Sequence, residues 1–248
     1  MAGVELLDAA LQAPARGVFT TRAGGVSGPP WDALNLALHV DDEARRVLTN
    51  RDLLVRAAGV RELAFAQQVH GSGVAVVERA SSRGSTAGVR GVDALVTRTR
   101  GLGLVVMAAD CLPVLLADPE GGVVGAAHAG RAGLLAGVLQ RAVEAMAGLG
   151  ADPARTRAVV GPAAGACCYE VPADMADDAE HQLPGVRATT RRGTPSLDLR
   201  AGAVRALGLA GVDEVQHIDA CTLDDPRFYS YRRDGRTGRH AGVAWLTP

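Results

Sequence analysis

At 248 residues the chain is at the upper end for one domain, and a composition of 48% hydrophobic and 21% charged residues is ordinary for a globular protein. A formal charge of −1 gives no global attraction to nucleic acid or anionic membranes. All 26 basic residues are arginines, which excludes a lysine Schiff base and a Walker-type phosphate loop and leaves Arg, His or backbone N–H groups for any anion site.

The opening "MAGVELLDAALQAP" lacks a basic n-region followed by an apolar h-region, and no apolar run approaches the ~20 residues of a membrane span, so a cytoplasmic single domain over 1–248 is expected. "RGVFTTRAGGVSG" (16–28) reads as a short strand entering a Gly-rich turn, and 41–58 as a helix with Val47, Leu48, Leu54, Val55 and Ala58 on one face and Gly59 as its stop. "LAFAQQVHG" and "GVAVVE" read as two strands joined at His70-Gly71, and 80–91 as a small, polar loop. Strands are predicted at 92–97, 104–109, 112–117 and 123–128, with Pro113 requiring a bend or bulge at Asp110-Cys111. A helix is predicted over 132–147, where Leu134, Leu135, Val138, Leu139, Ala142, Val143 and Met146 keep the 3.6-residue period. A strand near 157–161, helices from Pro172 and near 198–209, and strands near 213–218 and 240–246 complete a mixed α+β pattern.

Asp110 stands in an apolar run, "VVMAADCLPVLLAD", where an unpartnered carboxylate costs several kcal/mol, so residues from elsewhere must pair with it. His70, Cys111 and His128 each fall at an end or break of a predicted strand among small residues. Two imidazoles and a thiolate suit a borderline-soft dication such as Zn²⁺ and leave a fourth position open, with Asp110 available to orient a ligand or take a proton. The cysteines Cys111, Cys167, Cys168 and Cys221 do not form a disulfide framework and read as free thiols or metal ligands. Arg22 beside Gly24-Gly25 could bind an anion or be a solvated turn residue. Phe228, Tyr229 and Tyr231 in "RFYSYRRDGRTGR", with Tyr169, offer stacking faces for a planar ligand or alternatively core aromatics on a strand.

"FTTRAGGVS", "QQVHG", "ADCLPVLLAD", "AAHAG", "GPAAGACCYEV" and "FYSYRRDGRTGRHAG" resemble, in order and spacing over about 17–246, the laccase-domain family. That family was first described as multicopper polyphenol oxidoreductases and is understood as purine nucleoside phosphorylases with adenosine deaminase and methylthioadenosine phosphorylase activity. The resemblance implies a layered α-β-β-α sandwich with mixed sheets, similar to toxin-type cysteine hydrolases. It also implies a catalytic zinc on His70, Cys111 and His128, with Asp110 beside it. Arg22, Asn35, Cys168, Tyr169, Tyr231 and Arg232 are the corresponding substrate-binding candidates. Purine nucleosides and phosphate are the expected ligands, without nucleic acid or membrane, in a monomer or small homo-oligomer. Two departures stand out: Arg131-Ala132 replace the family's usual Trp-Arg after "HAG", and Ala164 and Ala166 replace bulkier residues.

Two rival chemistries use the same residues. A copper-dependent polyphenol oxidase would also take a His₂Cys set, but copper is less favoured because the six histidines are too few for a multicopper cluster and Met107 is the one methionine near Cys111. A cysteine hydrolase or deamidase would use Cys111 as nucleophile and His128 as base.

Overall fold

The structure is a computed structural model that describes residues 3–80 and 88–248. Two six-stranded mixed sheets form its centre. The first has the order Leu6–Asp8, Ala15–Thr20, His240–Leu246, Leu102–Ala108, Glu62–Gln67, Val89–Arg90. The second has the order Glu214–His217, Arg157–Val160, Leu112–Asp118, Val123–Ala129, Ala94–Thr97, Val74–Val76. A small hairpin, Arg187–Thr189 with Pro195–Leu197, stands apart from both.

The period-2 alternation of the central strands divides their side chains between three apolar clusters. Phe19, Leu104, Leu95, Leu115, Val124 and Ala126 fill the space between the sheets. On the outer face of the second sheet, Leu112, Val114 and Leu116 meet Leu139 and Val143 of the Val138–Gly148 helix and Leu207 of the Leu199–Leu209 helix. On the outer face of the first, Val105, Met107 and Val243 meet Leu54 of the Ala44–Ala58 helix together with Leu34 and Leu36. The result is the α-β-β-α layering that the family resemblance implied. Gly59, at φ 67, stops the Ala44–Ala58 helix with its N–H directed back to Val55 and Arg56 carbonyls.

Four expectations are corrected or refined. The predicted 132–147 helix is two helices, Arg131–Leu135 and Val138–Gly148, because Gly137 at φ 83 breaks the backbone between them while the apolar period runs on. "LAFAQQVHG" and "GVAVVE" are joined through His70-Gly71 but do not pair with each other, since Glu62–Gln67 and Val74–Val76 lie in different sheets. The 227–239 stretch is not a strand: Phe228 and Tyr229 are fully buried, and Tyr231–Asp234 is a helical turn capped by the Ser230 side chain, which accepts from the Arg233 N–H. Of the polar 80–91 stretch, 81–87 lie outside the described residues, and Val89–Arg90 form a short parallel strand against Ala66-Gln67.

Pro113 does not break its strand. Its carbonyl accepts from the Gly161 N–H at 2.8 Å, just past the end of Arg157–Val160, so its ring nitrogen faces the same side where the ladder stops. The bend lies earlier, at Ala109-Asp110-Cys111, where the chain leaves the first sheet at Ala108 and enters the second at Leu112.

Candidate active site

Asp110 is the residue of that crossing. It is buried and takes φ 95, a region costly for a residue with a side chain, and its carboxylate is held from two sides. Thr222 Oγ1 donates to Oδ1 at 2.6 Å and the Arg232 N–H donates to Oδ2 at 2.7 Å. Its backbone carbonyl accepts from the Ala164 N–H at 2.9 Å. The partners that a carboxylate in this run demands therefore come from residues more than a hundred positions away, and Asp110 pins the 222 and 232 segments to the crossing.

The crossing delivers Cys111 to the two histidines. One ligand atom from each of His70, Cys111 and His128 lies within 4.8 Å of the others. The rings of His70 and His128 meet edge to face, with centroids 4.9 Å apart. His128 ends the Val123–Ala129 strand in a fully covered position, and its Nδ1 lies 2.8 Å from Asp93 Oδ1, which leaves Nε2 for a ligand. The same carboxylate accepts the N–H groups of Val69, His70 and Gly71 at 3.2, 3.0 and 2.8 Å and thereby holds His70 at φ 60. Asp93 is one of the site residues that the sequence reading missed; an acidic residue opening the apolar run "DALV" is its only local signal.

Gly130 supports a metal-sized space among the three. A Cβ placed there would stand 3.0 Å from both Cys111 Sγ and His70 Cδ2. Burial, and then the Asp110 charge, pushes the Cys111 thiol up to about 12, so without a cation it is protonated. Burial lowers the His128 pKa, with the Asp93 bond opposing, which favours the neutral imidazole that a metal requires. The residues present fit a dication: a thiol that only a strong Lewis acid would deprotonate at neutral pH, two imidazoles, and a glycine in place of any competing side chain.

The trio opens into a cavity of about 560 Å³ that Asp110, Tyr169, Tyr231 and Arg232 also line. Arg232 lies 4.4 Å over the Tyr169 ring, and Tyr231 is 61% exposed at the rim. The remaining wall includes His39, Gln68, Met107 and Arg239. Gln68 clamps the Met107 backbone, donating to its carbonyl and accepting its N–H, both at 2.8 Å. Burial, with the charges of Arg239, Arg51 and His70, lowers the His39 pKa.

Three predicted substrate residues are not among those lining the cavity. Arg22 donates from Nε to the Asp32 carbonyl at 2.7 Å, pairs with its carboxylate at 3.2 Å and lies over the Tyr229 ring at 4.9 Å. Asn35 is fully buried and acts on the cavity indirectly: its Oδ1 accepts the Arg239 N–H at 3.0 Å. Cys168 faces a neighbouring cavity. Cys168 precedes the lining residue Tyr169 and Asn35 bonds the lining residue Arg239, a proximity that sequence does not distinguish from lining itself.

A family model described as multi-copper polyphenol oxidoreductase laccase matches residues 16–247. A Corynebacterium glutamicum protein named purine nucleoside phosphorylase is 45% identical over 235 residues, covering 94% of this chain and 95% of its own. A Streptomyces coelicolor protein of the same name is 48% identical over 230 residues, covering 92% and 94%. The crystal structure of Neisseria meningitidis protein NMB0706 matches with a TM-score of 0.87 at 36% identity, covering 98% of this chain and 99% of that one. YlmD from Geobacillus stearothermophilus matches with a TM-score of 0.87 at 32% identity, covering 95% and 93%.

Proposed function

This chain belongs to the multi-copper polyphenol oxidoreductase laccase family, and from that membership we propose that it is a purine nucleoside phosphorylase whose one domain carries a zinc on His70, Cys111 and His128. The observation that carries the reading is the convergence in one cavity of that trio with Tyr169, Tyr231, Arg232 and Arg239. Its volume, about 560 Å³, is in the range of a small-molecule site, and relatives of near-equal length bear the phosphorylase name.

Phosphorolysis requires phosphate aimed at the anomeric carbon and a purine held so that it departs as a stabilised base, which is mostly positioning and charge stabilisation. In a chain without lysine, Arg232 and Arg239 are the cavity's arginines for phosphate, in place of Arg22. Tyr231, at the open rim, offers a flat face for the purine, and Tyr169 is backed by the Arg232 guanidinium. Asp93 orients His128, and Asp110 fixes Arg232 by its backbone. Zinc bound there would supply Lewis acidity toward negative charge developing on a substrate or on a deaminating water. Adenosine deamination and methylthioadenosine phosphorolysis belong to the same proposal.

Two rivals each have an observation. Met107 lines the cavity, which keeps a copper site with a thioether neighbour open. Asp93, His128 and Cys111 stand in the order of a cysteine-hydrolase triad, although a thiol pushed up to about 12 is a poor resting nucleophile. One experiment separates them. The purified chain is analysed for metal and incubated with adenosine or inosine, with and without phosphate. Free purine base that appears only with phosphate, from zinc-loaded protein and not from a His70→Ala variant, supports the proposal. Phosphate-independent turnover of a phenol by copper-loaded protein, or alkylation of Cys111 that persists with zinc bound, overturns it.

A further inference from the structure

Beside the first cavity, a second set of metal-capable groups comes together. Cys167, Cys168, Cys221 and Asp224 each offer one ligand atom, and all four lie within 4.8 Å of one another. Cys167 Sγ and Cys168 Sγ are 3.2 Å apart, and the Asp224 carboxylate is 3.6 Å from Cys168 Sγ and 3.9 Å from Cys167 Sγ. Tetrahedral ligands about 2.3 Å from a zinc-class ion stand roughly 3.8 Å from each other. The side chains are thus near coordination spacing.

Two features of the surroundings suit a cation held by these side chains. The Gly165 N–H donates to Cys221 Sγ at 3.3 Å, and a Cβ on Gly165 would press within 3.2 Å of Cys167 Sγ and 3.6 Å of Cys221 Sγ, so a glycine floors this cluster as Gly130 floors the first. Second, Arg191 pairs with Asp224 at 2.6 Å and reaches within 3.9 Å of Cys168 Sγ, and Arg192, Arg232 and Arg233 line the same cavity. Three thiolates and a carboxylate around a dication leave a net charge of about −2, which such arginines would balance.

We propose that Cys167, Cys168, Cys221 and Asp224 form a second, closed metal site for a thiophilic divalent cation of the zinc class. Four protein ligands leave no open position, so the site is structural. Each thiol that coordinates gives its proton to solvent. The ion would tie the turn ending in Tyr169 to the turn carrying Thr222, the partner of Asp110, and so brace two walls of the first cavity from behind.

The test is a cobalt(II) titration of the reduced full-length chain carrying His70→Ala and His128→Ala, which disables the first trio. One equivalent should bind with strong thiolate-to-cobalt charge transfer and be displaced by zinc. Adding Cys221→Ser should abolish that equivalent, and Asp224→Asn should weaken it while circular dichroism shows a folded chain. Where the double-histidine variant does not fold, alkylation of the wild-type chain supplies the readout: zinc should protect Cys167, Cys168 and Cys221 together. A folded, reduced chain that shows no thiolate–cobalt band, or thiols that alkylate equally fast with and without zinc, overturns the proposal.

Discussion

Asp93 grips both sides of the metal-capable trio: its Oδ1 lies 2.8 Å from His128 Nδ1 and accepts the His70 N–H at 3.0 Å. Its carboxylate is fully buried, and its pKa is lowered because the bonds from His128, Gly71 and Val69 outweigh the burial that alone would raise it. Asp93→Ala should weaken zinc binding 10–100-fold, the usual cost of losing a partner that orients a ligand. Competition against a chromogenic chelator would measure this, and unchanged affinity would show that His128 is oriented by packing alone.

Gly130→Ala should act through space rather than charge. The new methyl would stand 3.0 Å from Cys111 Sγ and His70 Cδ2, where only a shift of the ligands relieves it. Bound zinc per folded chain should fall well below that of the wild type, with little change in the metal-free melting temperature. Full occupancy in the variant would mean that the ligands converge elsewhere.

Arg239 and Arg22 should separate in kinetics. Arg239→Met should raise the phosphate KM or lower phosphorolysis by ~10²-fold, as expected for a charge-assisted contact of roughly 3 kcal/mol, while adenosine-to-inosine conversion survives because no phosphate enters it. Arg22→Met should leave the phosphate KM within about twofold, since its guanidinium is engaged by Asp32 outside the cavity lining, an expectation for a residue without substrate contact. The reverse pattern in steady-state assays at varied phosphate would return the anion site to Arg22.

Acid stability should depend on Asp118, far from the cavity. Its buried carboxylate accepts the N–H groups of Gly121 and Asp152 at 3.0 and 2.8 Å and pairs with Arg155 at 3.1 Å, and these bonds hold its pKa below the ordinary 3.8 against burial. A depressed carboxylate contributes its stabilisation fully above 3.8 and loses it as pH falls through the folded value. Asp118→Asn should cost about 1–3 kcal/mol at pH 7, and urea melts should show the gap from wild type narrowing below pH 3.8.

Local sequence determined most of the elements and the metal-capable trio. Period-2 and period-3.6 apolar patterns located the central strands and the Ala44–Ala58 and Leu199–Leu209 helices, because burial of one face writes itself into residue spacing. His70, Cys111 and His128 were legible as metal-capable side chains at strand ends and breaks, and the family motifs joined them. The same resemblance also named Arg22, Asn35 and Cys168, since it marks a neighbourhood without saying which side chain faces the cavity.

Tertiary structure decided what depends on long-range pairing. Whether Ala109-Asp110-Cys111 is a bulge within one sheet or a crossing between two is set by partners such as His240–Leu246 and Val123–Ala129, which local spacing does not contain. The partners of Asp110, Thr222 and Arg232, come from distant segments of the folded chain, and the Asp93–His128 pair forms only where Ala94–Thr97 pairs with Val123–Ala129. The second thiol cluster has the same origin. Cys167-Cys168 and Cys221 are more than fifty residues apart along the chain, and parallel pairing of Arg157–Val160 with Glu214–His217 brings the turns that follow them side by side. Sequence periodicity encodes which face of an element is buried; which buried faces meet is decided by the packing of the whole chain.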